Sequence, residues 1–139
     1  MKKLTKLSAR DVGIVDITGI EHRINLYSLD LGVNVISDIS GLRKLTNLTE
    51  LDIAANNISD LSALVNLSKL DYLAADNNNI SNVSAIQNLT KLKRLFLTNN
   101  VISDISPIAE NKGVSGIVKL KDNPLKHCCI IYSYSCVRI

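Results

Sequence analysis

The sequence predicts an α/β solenoid: a right-handed superhelix with short parallel strands on its concave face and 3₁₀ or short helical turns on its convex face. Two observations predict it. The first is a repeat. The pattern Leu-x-x-Leu-x-Leu-x-x-Asn-x-Ile occurs at Leu26, Leu29, Leu31, Asn34 and Ile36. It recurs from Leu48, Leu70 and Leu92, with a step of 22 residues each time. The second is the apolar–polar alternation within each copy, as in Leu51-Asp52-Ile53 and Leu95-Phe96-Leu97, which is the two-residue period of a strand. A single unit cannot bury its own apolar side, so neighbouring units must cover it by stacking.

The frame extends in both directions. Stepping back 22 residues from Leu26 gives Leu4, Leu7, Ala9, Val12 and Ile14, with Val12 in the Asn slot. Stepping forward requires one inserted residue and gives Ser115, Val118, Leu120, Asn123 and Leu125. There are thus four full copies and a degraded one at each end. Three further apolar rows recur at the same step: Ile39/Leu61/Val83/Ile105, Leu42/Leu64/Ile86/Ile108 and Leu45/Leu67/Leu89.

Each element follows from its position in the unit. The alternating run suits a strand of about 4 to 5 residues, and strands in successive units can pair in parallel about 4.8 Å apart. The return segment is too short for a long helix, so 3₁₀ turns or one helical turn are expected. Ser40, Ser62, Ser84 and Ser106 stand where such a turn would be N-capped. Pro107 suits its first position, where no backbone donor is needed. Two residues depart from the frame. Ala75 occupies a Leu slot and should leave a dent or draw neighbours inward. Arg23 occupies the Leu45/Leu67/Leu89 slot and should point to solvent.

The Asn column has a structural reason. After the strand the backbone turns inward and buries polar groups. An Asn side chain carries both an acceptor and donors, so it can satisfy groups of its own and the next unit. Asn34, Asn56, Asn78, Asn100 and Asn123 are expected to form this ladder.

With these residues in view, the units resemble leucine-rich repeats. Within that class they are similar to the 22-residue bacterial type of internalin-like proteins, as in "NNISDLSALVNLSKLDYL" and "NNVISDISPIAENKG". A 22-residue eukaryotic type occurs in regulatory subunits of protein phosphatase 1, but Asp104-Ile105-Ser106-Pro107 favours the bacterial type. The resemblance covers residues 4 to 125. It implies a protein-binding module without catalysis or cofactor, serving adhesion or host and cell-surface recognition, and hence a secreted or surface location. The alternative is an intracellular regulatory or scaffold subunit. Met1-Lys2-Lys3 is basic, but no apolar run of about seven follows, so no secretory signal is expected in this chain. The resemblance also implies a helical cap before the repeats, which is not expected within this chain. An uncapped first unit invites self-association.

Residues 1–125 are therefore expected to form the repeat domain and residues 126–139 a C-terminal capping tail. That tail holds all three cysteines, Cys128, Cys129 and Cys136, beside His127. Adjacent Cys128 and Cys129 would point apart on a strand and no Cys-x-x-Cys occurs, so no metal site is expected. Packed cap residues are the better reading. No phosphate-binding Gly pattern or hydrolase motif is present.

Binding is expected on the concave side, where residues between the leucines face outward. One column is Lys6, Ser28, Glu50, Tyr72 and Arg94. The next is Ser8, Asp30, Asp52, Ala74, Phe96 and Lys119. The third is Arg10, Gly32, Ala54, Asp76, Thr98 and Lys121. These positions vary while the frame does not. The candidate site is Asp30, Glu50, Asp52, Tyr72, Asp76, Arg94, Phe96, Thr98, Lys119 and Lys121, with acids toward the N-terminal end, two aromatics centrally and cations toward the C-terminal end. The expected partner is a protein. A net charge of +3 and 4% aromatics without Trp disfavour nucleic acid. No apolar stretch approaches the roughly 20 residues of a membrane span.

Overall fold

The computed structural model describes residues 3–126. Six strands form one parallel sheet in sequence order: β1 (Lys6–Ser8), β2 (Ser28–Asp30), β3 (Glu50–Asp52), β4 (Tyr72–Ala74), β5 (Arg94–Phe96) and β6 (Ile117–Lys119). The chain is a solenoid of stacked coils. Its register is the repeat itself. Leu7, Leu29, Leu51, Leu73, Leu95 and Val118 lie side by side across the sheet. The single-residue insertion before β6 preserves this alignment.

Each strand is three residues long, shorter than the alternation suggests. Ladder bonds nevertheless continue past the strand ends, as in Leu31 N to Asp52 O and Val33 N to Ala54 O, both at 2.8 Å. What ends the strand is a left-handed residue. Asp11, Val33, Ala55, Asn77, Asn99 and Asp122 all have φ between 53° and 58°. That conformation turns the chain inward toward the Asn slot.

On the opposite side, 3₁₀ turns span Ile20–His22, Ser40–Lys44, Ser62–Leu64 and Ser84–Asn88, and a single α-helical turn, α1, spans Ser106–Ala109. The serines do not cap these turns. Each is the first residue inside its turn, and no side chain of the preceding residue caps it. The carboxylate or amide two residues upstream does the work. Asp38, Asp60, Asn82 and Asp104 each accept the backbone N–H of the following serine at 2.7–2.9 Å. This is an Asx turn, in which a short side chain mimics a backbone carbonyl. Asp16 does the same for Thr18 in the first coil. These carboxylates are held below the ordinary aspartate value where the effect is resolved. At Asp16 and Asp104 the hydroxyl of Thr18 or Ser106 contributes most, and at Asp38 the Ser40 backbone N–H does. Pro107 is the second residue of α1, where its missing N–H costs no helical bond.

The core is a continuous column of Leu, Ile, Val and Ala from all coils, with most members fully buried. Each buried Leu contributes about 1.5–3 kcal/mol. Ala75 is fully buried in its Leu slot, and Arg23 is exposed. The last coil departs from the expected rows. Ser115, aligned with Leu92, is exposed, and the half-buried Val114 packs against the core instead.

Asn34, Asn56, Asn78, Asn100 and Asn123 line up along the inner turn. The Asn56 amide donates to Leu31 O at 3.0 Å and to Ile53 O at 3.1 Å, and its Oδ1 accepts the Ile36 N–H at 3.0 Å. Asn78, Asn100 and Asn123 repeat the arrangement. The amide thus serves its own coil and the preceding one, not the following one. The reason lies at the corner. The N–H and C=O of Ile36 both face the next coil, where Asn56 Oδ1 and Asn57 N meet them. The coil that follows must therefore supply the amide.

A second buried amide was not anticipated. Asn111 falls 22 residues after Leu89, in the Leu45/Leu67/Leu89 row. It donates to Ile86 O at 2.7 Å and Leu89 O at 3.2 Å, and its Oδ1 accepts the Gly113 N–H at 2.8 Å. It holds the segment carrying the inserted residue against the previous coil. Gly113 approaches the Thr90 backbone so closely that a Cβ there would collide with it. Among the described residues, every buried side-chain nitrogen and oxygen has a hydrogen-bond partner.

Candidate binding face

The inner face of the sheet is sealed by leucines, so the open face is left to the intervening residues. Cross-strand register sets Ser28, Glu50, Tyr72, Arg94 and Ile117 in one row. It sets Ser8, Asp30, Asp52, Ala74, Phe96 and Lys119 in the next. Asp76, Thr98 and Lys121 follow the ends of β4, β5 and β6.

Tyr72 and Phe96 sit on diagonal positions of adjacent strands. Their ring centroids are 5.6 Å apart with planes inclined at 53°. This tilted contact suits the opposed charge of ring edge and ring face. Cations complete the group. The Arg94 guanidinium lies 4.8 Å from the Tyr72 centroid, and Lys119 Nζ lies 5.3 Å from the Phe96 centroid. Both distances are within cation–π range. Ala74 is buried beside Phe96, yet both rings remain half-exposed. Burial pushes the Tyr72 phenol above its ordinary value, and the Asp52 charge adds to the rise.

The acids toward the N-terminal end are differently placed. Arg10 Nη1 lies 2.9 Å from Asp52 Oδ2 and 3.5 Å from Asp30 Oδ1. Asp30 and Asp52 also accept the backbone N–H groups of Gly32 and Ala54, at 3.0 and 2.9 Å. Ser8 donates to Asp30 as well. These two carboxylates are therefore engaged by the protein itself. Asp76 likewise accepts the Thr98 N–H at 2.8 Å. Glu50 is exposed. The role of Arg10 was not read from the sequence. Its signal was present, since Gly32 stands beside it in the third column and leaves room for the arginine to pass.

Tyr27, just before β2, carries Lys6 Nζ 5.1 Å from its ring centroid. Asp71, just before β4, lies between Lys93 at 3.2 Å and Arg94 at 3.6 Å. Below Arg94 an open groove of about 670 Å³ runs along the sheet flank past Lys69, Lys91 and Lys93. His127, Cys128, Cys129, Cys136 and the capping role expected of 126–139 lie outside the described residues, apart from Lys126. Among the described residues no His, Cys, Asp and Glu cluster could hold a metal, and no helix is long and apolar enough to cross a membrane.

Comparison with known proteins agrees with this architecture. A family model for leucine-rich repeats in two copies matches residues 24–66 and 68–110. Among solved structures, an internalin, InlF, from Listeria monocytogenes is 38% identical with a TM-score of 0.84, over 89% of this chain and 36% of that one. Internalin C2 from the same species is 28% identical with a TM-score of 0.52, over 88% of this chain and 74% of that one. A leucine-rich-repeat protein from Leptospira interrogans is 26% identical with a TM-score of 0.81, over 88% of this chain and 32% of that one. The chain thus spans about a third of the length of InlF. No curated protein matches it in sequence. Repeats of this kind generally serve as protein-interaction modules. The chain belongs to the leucine-rich repeat family and is internalin-like.

Proposed function

We propose that the open face of the sheet docks a protein partner, centred on Tyr72 and Phe96. The observation that carries the reading is the pair of half-exposed rings in contact on a face where most other outward side chains are polar. Large aromatic side chains at the middle of a surface often dominate association energy. Arg94, Lys119, Thr98 and Lys121 surround them on the C-terminal side, and Glu50, Asp52, Asp30 and Asp76 on the other. Such flanking charge orients a partner and speeds encounter. Likeness to internalins supports adhesion or host and cell-surface recognition as the setting.

The test is a pull-down from a detergent extract of cell-surface proteins, read by mass spectrometry. The native chain should enrich a small set of proteins. Phe96→Ala and Tyr72→Ala should lose them while keeping the native melting profile. Equal recovery by both variants would remove this patch from the binding surface.

A further inference from the structure

The open face treats its two signs of charge unequally. The acids Asp30 and Asp52 share Arg10 and backbone N–H groups. The two lysines of the last coil are not matched in this way. Among the described residues neither Lys119 nor Lys121 makes an ion pair. Both side chains are exposed, and with a period of two they stand on the same face. Lys119 is held over the Phe96 ring rather than dispersed in solvent. Arg94, by contrast, pairs with Asp71 at 3.6 Å, and the flank groove beside it holds Glu50 and Asp71 as well as lysines, so the unmatched positive charge is that of β6.

From this asymmetry we infer that the segment docked on Tyr72 and Phe96 is an acidic stretch of polypeptide carrying a large apolar side chain. The inference rests on the docking reading above and names its partner's chemistry. The apolar side chain covers the two tilted rings. The carboxylates run toward β6, over Lys119 and Lys121. A lysine or arginine partner would meet uncompensated positive charge there and gain little from Asp30 and Asp52, which Arg10 already holds.

The same rings and cations also raise the question of a nucleic acid strand, and the geometry disfavours it. Bases stack on flat, separated aromatic platforms. Here the rings touch each other at 53° and are themselves capped by Arg94 and Lys119. Residues 127–139 contain no Asp or Glu, so this segment lacks the chemistry of the occupant.

The experiment measures fluorescence anisotropy of short labelled peptides with the full chain. One peptide alternates Asp and Glu around a central Phe. A second replaces every acid by Lys, and a third keeps the acids but replaces Phe by Ser. The acidic Phe peptide should bind roughly tenfold or more tighter than either control, and more weakly at high salt. The double variant Lys119→Glu/Lys121→Glu should lose roughly tenfold with an unchanged melting curve. Should the lysine peptide bind as well as the acidic one, in a manner that needs Phe96, docking on the rings stands and the acidic partner is wrong. If no peptide responds to Phe96→Ala or Tyr72→Ala, the docking reading itself fails. Tighter binding of an oligothymidine strand than of the acidic peptide overturns the choice of a polypeptide.

Discussion

Arg10 reaches past one whole coil to Asp52, closing to 2.9 Å while passing Asp30 at 3.5 Å. The path runs over Gly32, where a Cβ would collide with the guanidinium. This links the first coil to the third at the sheet surface. The Arg10 and Asp52 side chains are 45% and 23% exposed, so solvent screens the attraction. Arg10→Ala should therefore cost about 1 kcal/mol or less in chemical denaturation. Its larger effect is electrostatic, because it releases two carboxylates on the open face. A loss of several kcal/mol would show that Arg10 does more than pair at the surface.

Asn56 should behave in the opposite way. Its amide is buried, and removing it strands Ile36 N–H and takes a donor from Leu31 O and Ile53 O. Asn56→Ala should cost about 1–3 kcal/mol, from buried groups left without partners. Asn123→Ala should cost less, because Asn123 is only half-buried. Equal losses at the two positions, by urea unfolding, would contradict the dependence on burial.

The difference between these two residues bears on what a sequence reveals. A step of 22 residues places strands, core rows and the Asn column, since packing repeats wherever the repeat does. The outward columns were readable for the same reason. What could not be read was which neighbour each polar group serves. The repeat alone points Asn56 to the following coil rather than the preceding one it serves, because the direction in which Ile36 presents its N–H and C=O depends on the corner geometry. The capping role fell to Asp38 rather than Ser40, because both are good capping residues and only the start of the turn distinguishes them. The pairing of Asp30 and Asp52 with Arg10 is not evident within any one repeat, because its single trace is Gly32, the small residue that lets the arginine pass. Asn111 keeps the 22-residue step from Leu89, but an amide in an apolar row carries no hydrophobic signal of burial.

The Asx turns make acid stability a local property. Asp38 and Asp104 have folded-state values below the ordinary 3.8 because Ser40 and Ser106 donate to them. A depressed value means the folded chain favours the carboxylate. The resulting stability is complete above the unfolded value and disappears as pH falls through the folded one. Asn82 holds Ser84 in the same way without an ionisable group. Asp38→Asn with Asp104→Asn should thus keep the turns and flatten the fall in Tm as pH drops below the ordinary aspartate value. A fall as steep as in the native chain would place its origin in other carboxylates.

Val33 offers the remaining prediction. It adopts φ 58°, a left-handed conformation that crowds a β-branched side chain against its own backbone. Its counterparts in the other coils are Asp11, Ala55, Asn77, Asn99 and Asp122. Asn and Asp tolerate that region better, because their short polar side chains bond locally. Val33 is also 38% exposed, so little apolar burial offsets the strain. Its backbone N–H donates to Ala54 O at 2.8 Å and would do so from any residue. Val33→Asn should accordingly stabilise the chain by about 1 kcal/mol. A raised urea midpoint with an unchanged slope is the expected result. A lowered midpoint would mean that the Val33 methyl groups contribute more through packing than the backbone loses through strain.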